Sequence, residues 1–112
     1  MTAAEFRRIA LSLPEVEEAA HMNHPDFRVG GKIFATLGYP NAKFGVVMLT
    51  PHDQDLLVRD YPEAFMPVKG KWGASGSTSV VLRKADKGAV AIALKAAWRK
   101  RAPKRLVSAL DD

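Results

Sequence analysis

The fold of this chain is decided by residues 27–37, which read FRVGGKIFATL. Residues 27–29 and 32–37 each favour a β-strand, and the two glycines between them accept the positive φ that a tight hairpin turn demands. The second arm alternates along its length, with Ile33, Ala35 and Leu37 on one face and Lys32, Phe34 and Thr36 on the other. The stretch therefore predicts a β-hairpin, the basic unit of an antiparallel sheet.

Three more strands are predicted around this hairpin. Residues 17–22 favour a strand before it, and residues 44–50 favour one after it that is apolar on both faces, as a central strand is. Residues 78–83 form the last predicted strand. Because short hairpin links join these strands, we expect an antiparallel sheet of about five strands.

Capping residues and prolines mark four helices. A T-x-x-E capping box at Thr2 and Glu5 starts the first, and Thr50-Pro51 starts the second. Asp86 caps the third, which runs to about residue 101, and the fourth begins at Pro103. Residues 63–66 are expected to add a short helical turn after the second helix, and residues 69–77 to form a loop with three glycines. The order α-β(4)-α-β-α-α predicts a single two-layer α+β domain over the whole chain, with the helices mainly on one face of the sheet. The other face must then be polar or be buried by a partner.

The composition excludes several classes of protein. The chain has 112 residues, of which 47% are hydrophobic, as in an ordinary globular domain. The absence of cysteine excludes a disulfide framework, a thiolate metal site and a thiol nucleophile. No apolar run approaches the roughly 18–20 residues that a membrane helix needs, and the first residues lack the layout of a signal peptide. We therefore expect a soluble cytoplasmic domain.

Several short motifs resemble those of one known family. They are FRRIALSLPEVEE at 6–18, HPDFRV at 24–29, GKIFATL at 31–37, GKWG at 70–73, V-x-L at 80–82 and AWRxxAPKRL at 97–106. Together, in this order, they resemble the MmcQ/YjbR family of small bacterial proteins over essentially the whole chain. The resemblance implies a compact α+β fold, of the kind also compared with the bacterial frataxin homologue CyaY. It also implies a DNA-binding role, which is attached to the family through a double-wing fold, and it supplies no catalytic site.

Positive charge is concentrated in the C-terminal third. Residues 1–68 carry 6 Lys or Arg and 9 acids, a net charge of −3, whereas residues 69–112 carry 11 and 3, a net charge of +8; the sum is the chain's +5. Cations of this kind bind phosphates by releasing condensed counterions, and Trp72, if exposed in its glycine loop, would stack on a base. The alternative is a solvated cationic face that neutralises helix C-terminal carbonyls, with Trp72 packed under its loop.

We therefore predict a nucleic-acid-binding protein that makes non-specific phosphate contacts. The candidate residues are Lys69, Lys71, Trp72, Lys95, Arg99, Lys100, Arg101, Lys104 and Arg105, with Arg28 and Lys32 of the hairpin. The alternative hypothesis is a non-enzymatic module that binds a protein or a small ligand on the uncovered sheet face, or that forms a homodimer through it. Its motivation is the strand at residues 44–50, which is apolar on both faces.

Neither a metal site nor a catalytic residue is predicted. His21-x-x-His24 follows Glu17 and Glu18, but two strand residues at this spacing are expected to point to opposite faces, and Pro25 is expected to force a turn. The loop at residues 70–78 fails the G-x-x-x-x-G-K-[ST] pattern, and its serines lack a G-x-S-x-G elbow. We expect no cofactor and rank an enzyme last.

Overall fold

The predicted hairpin lies within a six-stranded antiparallel sheet in the computed structural model, which describes residues 1–111. The strands are β1 Glu17–His21, β2 His24–Val29, β3 Lys32–Leu37, β4 Phe44–Met48, β5 Phe65–Pro67 and β6 Ser77–Val81. Their order across the sheet is β1-β2-β3-β4-β6-β5. The two-sided apolar strand β4 therefore lies inside the sheet, as its sequence predicts.

Five helices and one short 3₁₀ turn complete the chain. They are α1 Ala3–Leu11, α2 Pro51–Asp60, α3 Lys71–Ala74, the 3₁₀ turn Leu82–Lys84, α4 Lys87–Arg101 and α5 Lys104–Asp111. The capping box at Thr2 and Glu5 is present, and Thr50 caps α2 by accepting a hydrogen bond from the backbone N–H of Asp53. Asp86 caps α4 in the same way. The caps read from the sequence thus start the helices where they were predicted.

Two elements differ from the prediction. Residues 63–66 were expected to add a helical turn, but Phe65 is fully buried and pairs with Val80, so β5 forms an edge strand. The loop predicted at residues 69–77 contains α3. Gly73 makes this turn possible, because a Cβ there would lie 1.6 Å from the carbonyl oxygen of Val68. Both differences come from tertiary contacts that a local pattern does not contain.

A β-bulge changes the face on which the residues of β3 lie. Phe27 pairs with Ala35, but the next residue, Arg28, pairs with Ile33, so Phe34 is the extra residue. The predicted strict alternation is therefore wrong at this point. Phe34 and Ala35 both belong to the hydrophobic core, whereas Ile33 shares the face of Arg28.

The helices pack on one face of the sheet. Trp98 of α4 and Phe6 of α1 are fully buried in a core that also contains Leu57 of α2 and Leu106 of α5. The indole N–H of Trp98 donates a hydrogen bond to the carbonyl oxygen of Pro14 at 3.0 Å, so this large side chain is buried with its polar group satisfied. These four helices leave the opposite face of the sheet uncovered.

Candidate functional site

A groove of about 500 Å³ crosses the uncovered face. We call it the open-face groove. Its floor is formed by side chains of β3, β4 and β6, three of the four inner strands, namely Thr36, Val46, Met48 and Ser77. Its two walls are built by segments from opposite ends of the sheet: His21, Met22, His24 and Tyr39 on one side, and Val68, Lys69 and Trp72 on the other. A volume of this size suits a small organic ligand.

The β1–β2 turn brings both histidines into the groove. Met22 and Asn23 have φ values of 49° and 67°, as in the two-residue type I′ turn that joins twisted strands. His21 is then paired directly with His24, and cross-strand partners lie on the same face. The expectation that the two rings point to opposite faces is therefore wrong. Pro25 lies inside β2 and does not force a turn.

Trp72 is held at the groove by a buried amide. The side-chain amide of Gln54 donates to the carbonyl oxygens of Gly73 at 2.9 Å and Ser77 at 3.1 Å, and to the hydroxyl of Thr78 at 3.1 Å. These contacts fix α3 to the first residues of β6, while Trp72 itself is 70% exposed. Trp72 is thus not packed under its loop.

The rim of the groove exposes an unusual amount of apolar surface. Besides Trp72, Met22 is 86% exposed and Tyr39 is 50% exposed. Met66, on the same face of the sheet as Ser79, adds to this surface beside the groove. Exposed apolar side chains that gather around a concave surface are typical of a binding site.

A buried carboxylate anchors one wall. Asp26 is fully buried and accepts hydrogen bonds from Arg28 Nε at 2.8 Å and Arg28 Nη2 at 3.1 Å, and its Oδ2 lies 2.8 Å from Nδ1 of His21. The Arg28 guanidinium is the main cause that lowers the pKa of Asp26, against the opposing effect of burial, and the His21 hydrogen bond acts in the same direction. The guanidinium of Arg28, although 36% exposed, is therefore already paired with a carboxylate, which weakens the expectation that it binds a phosphate.

The groove offers hydrogen bonds and positive charge but no acid. No Asp or Glu is among its lining residues, and Lys69 brings an ammonium group. Within the described chain, no side-chain hydrogen bond engages the hydroxyls of Thr36, Tyr39 and Ser77 or the imidazole of His24. The arrangement can hold a flat apolar group between its aromatic walls and pair Lys69 with a negative charge.

The basic candidates predicted from the sequence are divided among several places. Lys69 and Trp72 line the open-face groove. Lys95, Arg99 and Lys100 line a separate, more open cavity of about 530 Å³ beside Thr50 and Asp53, between α2 and α4. The structure thus separates a cluster at α3 from a cluster at α4.

Several of the remaining cations are already engaged. The ammonium group of Lys100 donates to the carbonyl oxygen of Leu49 at 2.9 Å, and burial lowers the pKa of Lys100. Arg105 forms an ion pair with Glu15 at 3.1 Å, whereas Nε of Arg101 is buried without a hydrogen-bond partner among the described residues. Lys32, Lys71 and Lys104 are exposed.

Among the residues that line this groove, sequence reasoning predicted only Lys69 and Trp72 as binding residues. Gln54, Tyr39 and Met22 belong to no recognisable motif, and His24 was considered only as a metal ligand, which was not predicted. The position of Gln54, four residues after the cap Thr50, does not reveal its role in the sequence. Its hydrogen-bond partners lie 19 to 24 residues away along the chain. Within residues 1–111, no group of three or more metal-ligating side chains comes together, and no helix there has the length and apolarity to span a membrane.

Comparison with known proteins identifies the family. The family model named YjbR matches residues 11–100. The chain belongs to the YjbR family. The resemblance seen in the motifs is thereby confirmed.

Solved structures agree with this YjbR assignment. The chain is similar to the Deinococcus radiodurans protein DR2400, whose crystal structure holds a domain of the family model DUF419; the two are 15% identical, with a TM-score of 0.73, over 98% of this chain and 88% of that one. At that identity the likeness shows the fold alone. No curated protein matches this YjbR chain.

Proposed function

We propose that this YjbR protein is a non-enzymatic binding protein that holds a small planar anion in its open-face groove. One observation carries the proposal: two exposed aromatic side chains, Tyr39 and Trp72, stand at a concave surface whose polar side chains, apart from His21, have no hydrogen-bond partner in the described chain. Neither aromatic residue contributes to the hydrophobic core. Their position is therefore best explained by a ligand that covers them.

The walls of the groove favour a flat ligand. Aromatic rings gain from stacking on other planar groups beyond the area that they bury. Met22 and Met48 add flexible thioether side chains that adapt to an irregular ligand surface. A ligand of one or two fused rings fits a volume of about 500 Å³.

The charges of the groove favour an anion. Lys69 lies on its wall without an ion-pair partner in the described chain, and Asp26, whose carboxylate is hydrogen-bonded to the groove residue His21, is already paired with Arg28. A ligand carboxylate or phosphate therefore meets a positive charge and no competing negative one. A cationic ligand would instead meet the like charge of Lys69 and no carboxylate on the groove lining.

We expect 2-naphthoate to serve as a test ligand, with binding followed by titration calorimetry. Trp72→Ala should weaken binding by at least about fivefold because it removes one stacking surface. Lys69→Gln should weaken it by about two- to fivefold, the effect of one exposed charge. Lys32→Gln removes an exposed lysine outside the groove and should leave the affinity unchanged.

Other outcomes separate the competing occupants of this face. Equal binding of 2-naphthoate by all four proteins would contradict the proposal. A second copy of the chain is the other candidate occupant, and light scattering would then show a dimer that Trp72→Ala converts to a monomer. If the occupant is a small ligand, Trp72→Ala should weaken the binding of 2-naphthoate while light scattering gives the same molecular mass for the variant and the wild type.

Nucleic-acid binding is the second candidate, and the cavity between α2 and α4 favours it. Lys95, Arg99 and Lys100 line this cavity at the N-terminal end of α2, where backbone N–H groups also attract anions. Binding of a 20-base-pair duplex should weaken steeply as salt rises, and Lys95→Gln should reduce the slope of log affinity against log salt by about 0.9. A slope near zero, or no binding at about 50 mM salt, would exclude this function.

A further inference from the structure

We infer that Nε2 of His21 is fixed as a hydrogen-bond acceptor facing the open-face groove, so that the groove selects ligands that carry an O–H or N–H donor. The inference rests on the proposed function, because it concerns the ligand of the same groove. According to this inference, the planar anionic ligand must also carry an O–H or N–H group that points to the wall formed by His21.

The first step concerns the state of Asp26. This carboxylate is fully buried, and both of its oxygens accept hydrogen bonds from Arg28, one from Nε and one from Nη2. Arg28 always carries its charge, so its partner is held in the ionised form. An ionised carboxylate has no hydrogen to donate and can only accept.

The second step fixes the hydrogen on the imidazole. Nδ1 of His21 lies 2.8 Å from Oδ2 of Asp26, a hydrogen-bond distance. Because the carboxylate only accepts, Nδ1 must carry the hydrogen of the neutral ring. The lone pair is then on Nε2, which lies on the edge of the ring away from Asp26. Asp26 thus selects one of the two tautomers.

The third step places Nε2 at the ligand. The ring of His21 lines the open-face groove and is 42% exposed, and no hydrogen bond occupies its Nε2 in the described chain. His24 also lines the groove, but no carboxylate accepts a hydrogen bond from its ring, which instead packs edge-on against Tyr39 with centroids 6.2 Å apart. Only His21 of this pair has its tautomer set by the protein.

The test, at about pH 8 so that an ordinary imidazole is neutral, compares two ligands in which a methyl group replaces the polar hydrogen. 6-Hydroxy-2-naphthoate and 6-methoxy-2-naphthoate share the ring system and the carboxylate, but the second has no donor. The wild-type protein should bind the hydroxy compound about three- to tenfold more tightly, the effect of one hydrogen bond. His21→Phe should bring this ratio to about one, and His24→Phe, which keeps the acceptor, should preserve it.

Failure of the inference differs from failure of the proposed function. If both naphthoates bind equally to the wild type and to His21→Phe, the selection by His21 is wrong while the groove remains a binding site. If neither binds, the proposed function fails. Long-range ¹H–¹⁵N spectra of the ligand-free protein at alkaline pH give an independent check: the hydrogen of His21 should be on Nδ1, and finding it on Nε2 would overturn the inference.

Discussion

Asp26 is the residue on which the polar part of the uncovered sheet face depends. It lies in β2, between β1 and β3, and is fully buried. Its carboxylate accepts hydrogen bonds from Arg28 and His21. A buried carboxylate without such partners would be costly, and with them it stays ionised. Its carboxylate orients the ring of His21 and holds the guanidinium of Arg28 in an ion pair.

We predict that Asp26→Asn lowers the free energy of unfolding at pH 7 by about 1–3 kcal/mol, the range for losing hydrogen bonds to a charged group. The pKa of Asp26 is lowered in the folded protein, so its contribution is present above the ordinary carboxyl pKa and is lost as pH falls through the folded value. The difference between wild type and variant, measured by urea unfolding, should therefore shrink as pH falls from 7 towards 2. A difference that stays constant with pH would contradict the ionised state of Asp26.

Residue identity was readable from the sequence only where a residue has a local role. Thr2, Glu5 and Asp86 cap the helices that follow them, and each was recognised from its position before an apolar pattern. Asp26 has no such local signature, because its partners reach it through strand pairing and through the bulge beside Phe27. Its importance becomes visible only once β1, β2 and β3 are aligned.

At the scale of elements, α3 depends on a side chain from α2. Gln54 has two amide hydrogens for three acceptors, so one hydrogen is shared, and all three partners lie on the α3–β6 segment. The amide therefore replaces the contacts that a four-residue helix cannot supply for itself. Through α3 it sets the place of Trp72 in the open-face groove.

We predict that Gln54→Leu costs about 1–3 kcal/mol of unfolding free energy, because it leaves buried acceptors without donors. It should also weaken the binding of 2-naphthoate, although Gln54 does not line the groove. Val58→Ala, at a partly buried position on the same helix, is the matched control: it should lower stability and leave the affinity unchanged. An affinity that Gln54→Leu does not change would show that α3 is positioned by other contacts.

The sequence predicted the starts of helices correctly, because a cap lies next to the helix that it starts. It did not predict strand residues whose pairing partners lie far away in the sequence. The first two helices and the long α4 start at their predicted caps. Strand β5 and the first residues of β2 were missed, because their pairing partners decide them. The bulge at Phe34 was also missed, because it arises in the pairing of β3 with β2, which the pattern of one strand does not contain.

At the scale of the whole molecule, one uncovered sheet face was expected from the order of the elements, and the structure has it. The residues that line it were not predictable, because they come from five separated segments of the chain. The division of charge between the two parts of the sequence also did not translate into one basic face. The cations of the C-terminal third lie in part at the open-face groove and in part beside α2 and α4.

The most direct test of the open-face groove is a map of chemical-shift changes when 2-naphthoate is added to ¹⁵N-labelled protein. We predict that the largest changes fall on the backbone amides of Met22, Tyr39 and Lys69 and on the indole N–H of Trp72, which all belong to the groove. The indole N–H of Trp98, buried against Pro14, should stay in place and serves as the internal control. Changes confined to Lys95 and its neighbours beside α2, with the Trp72 signal unmoved, would contradict the account.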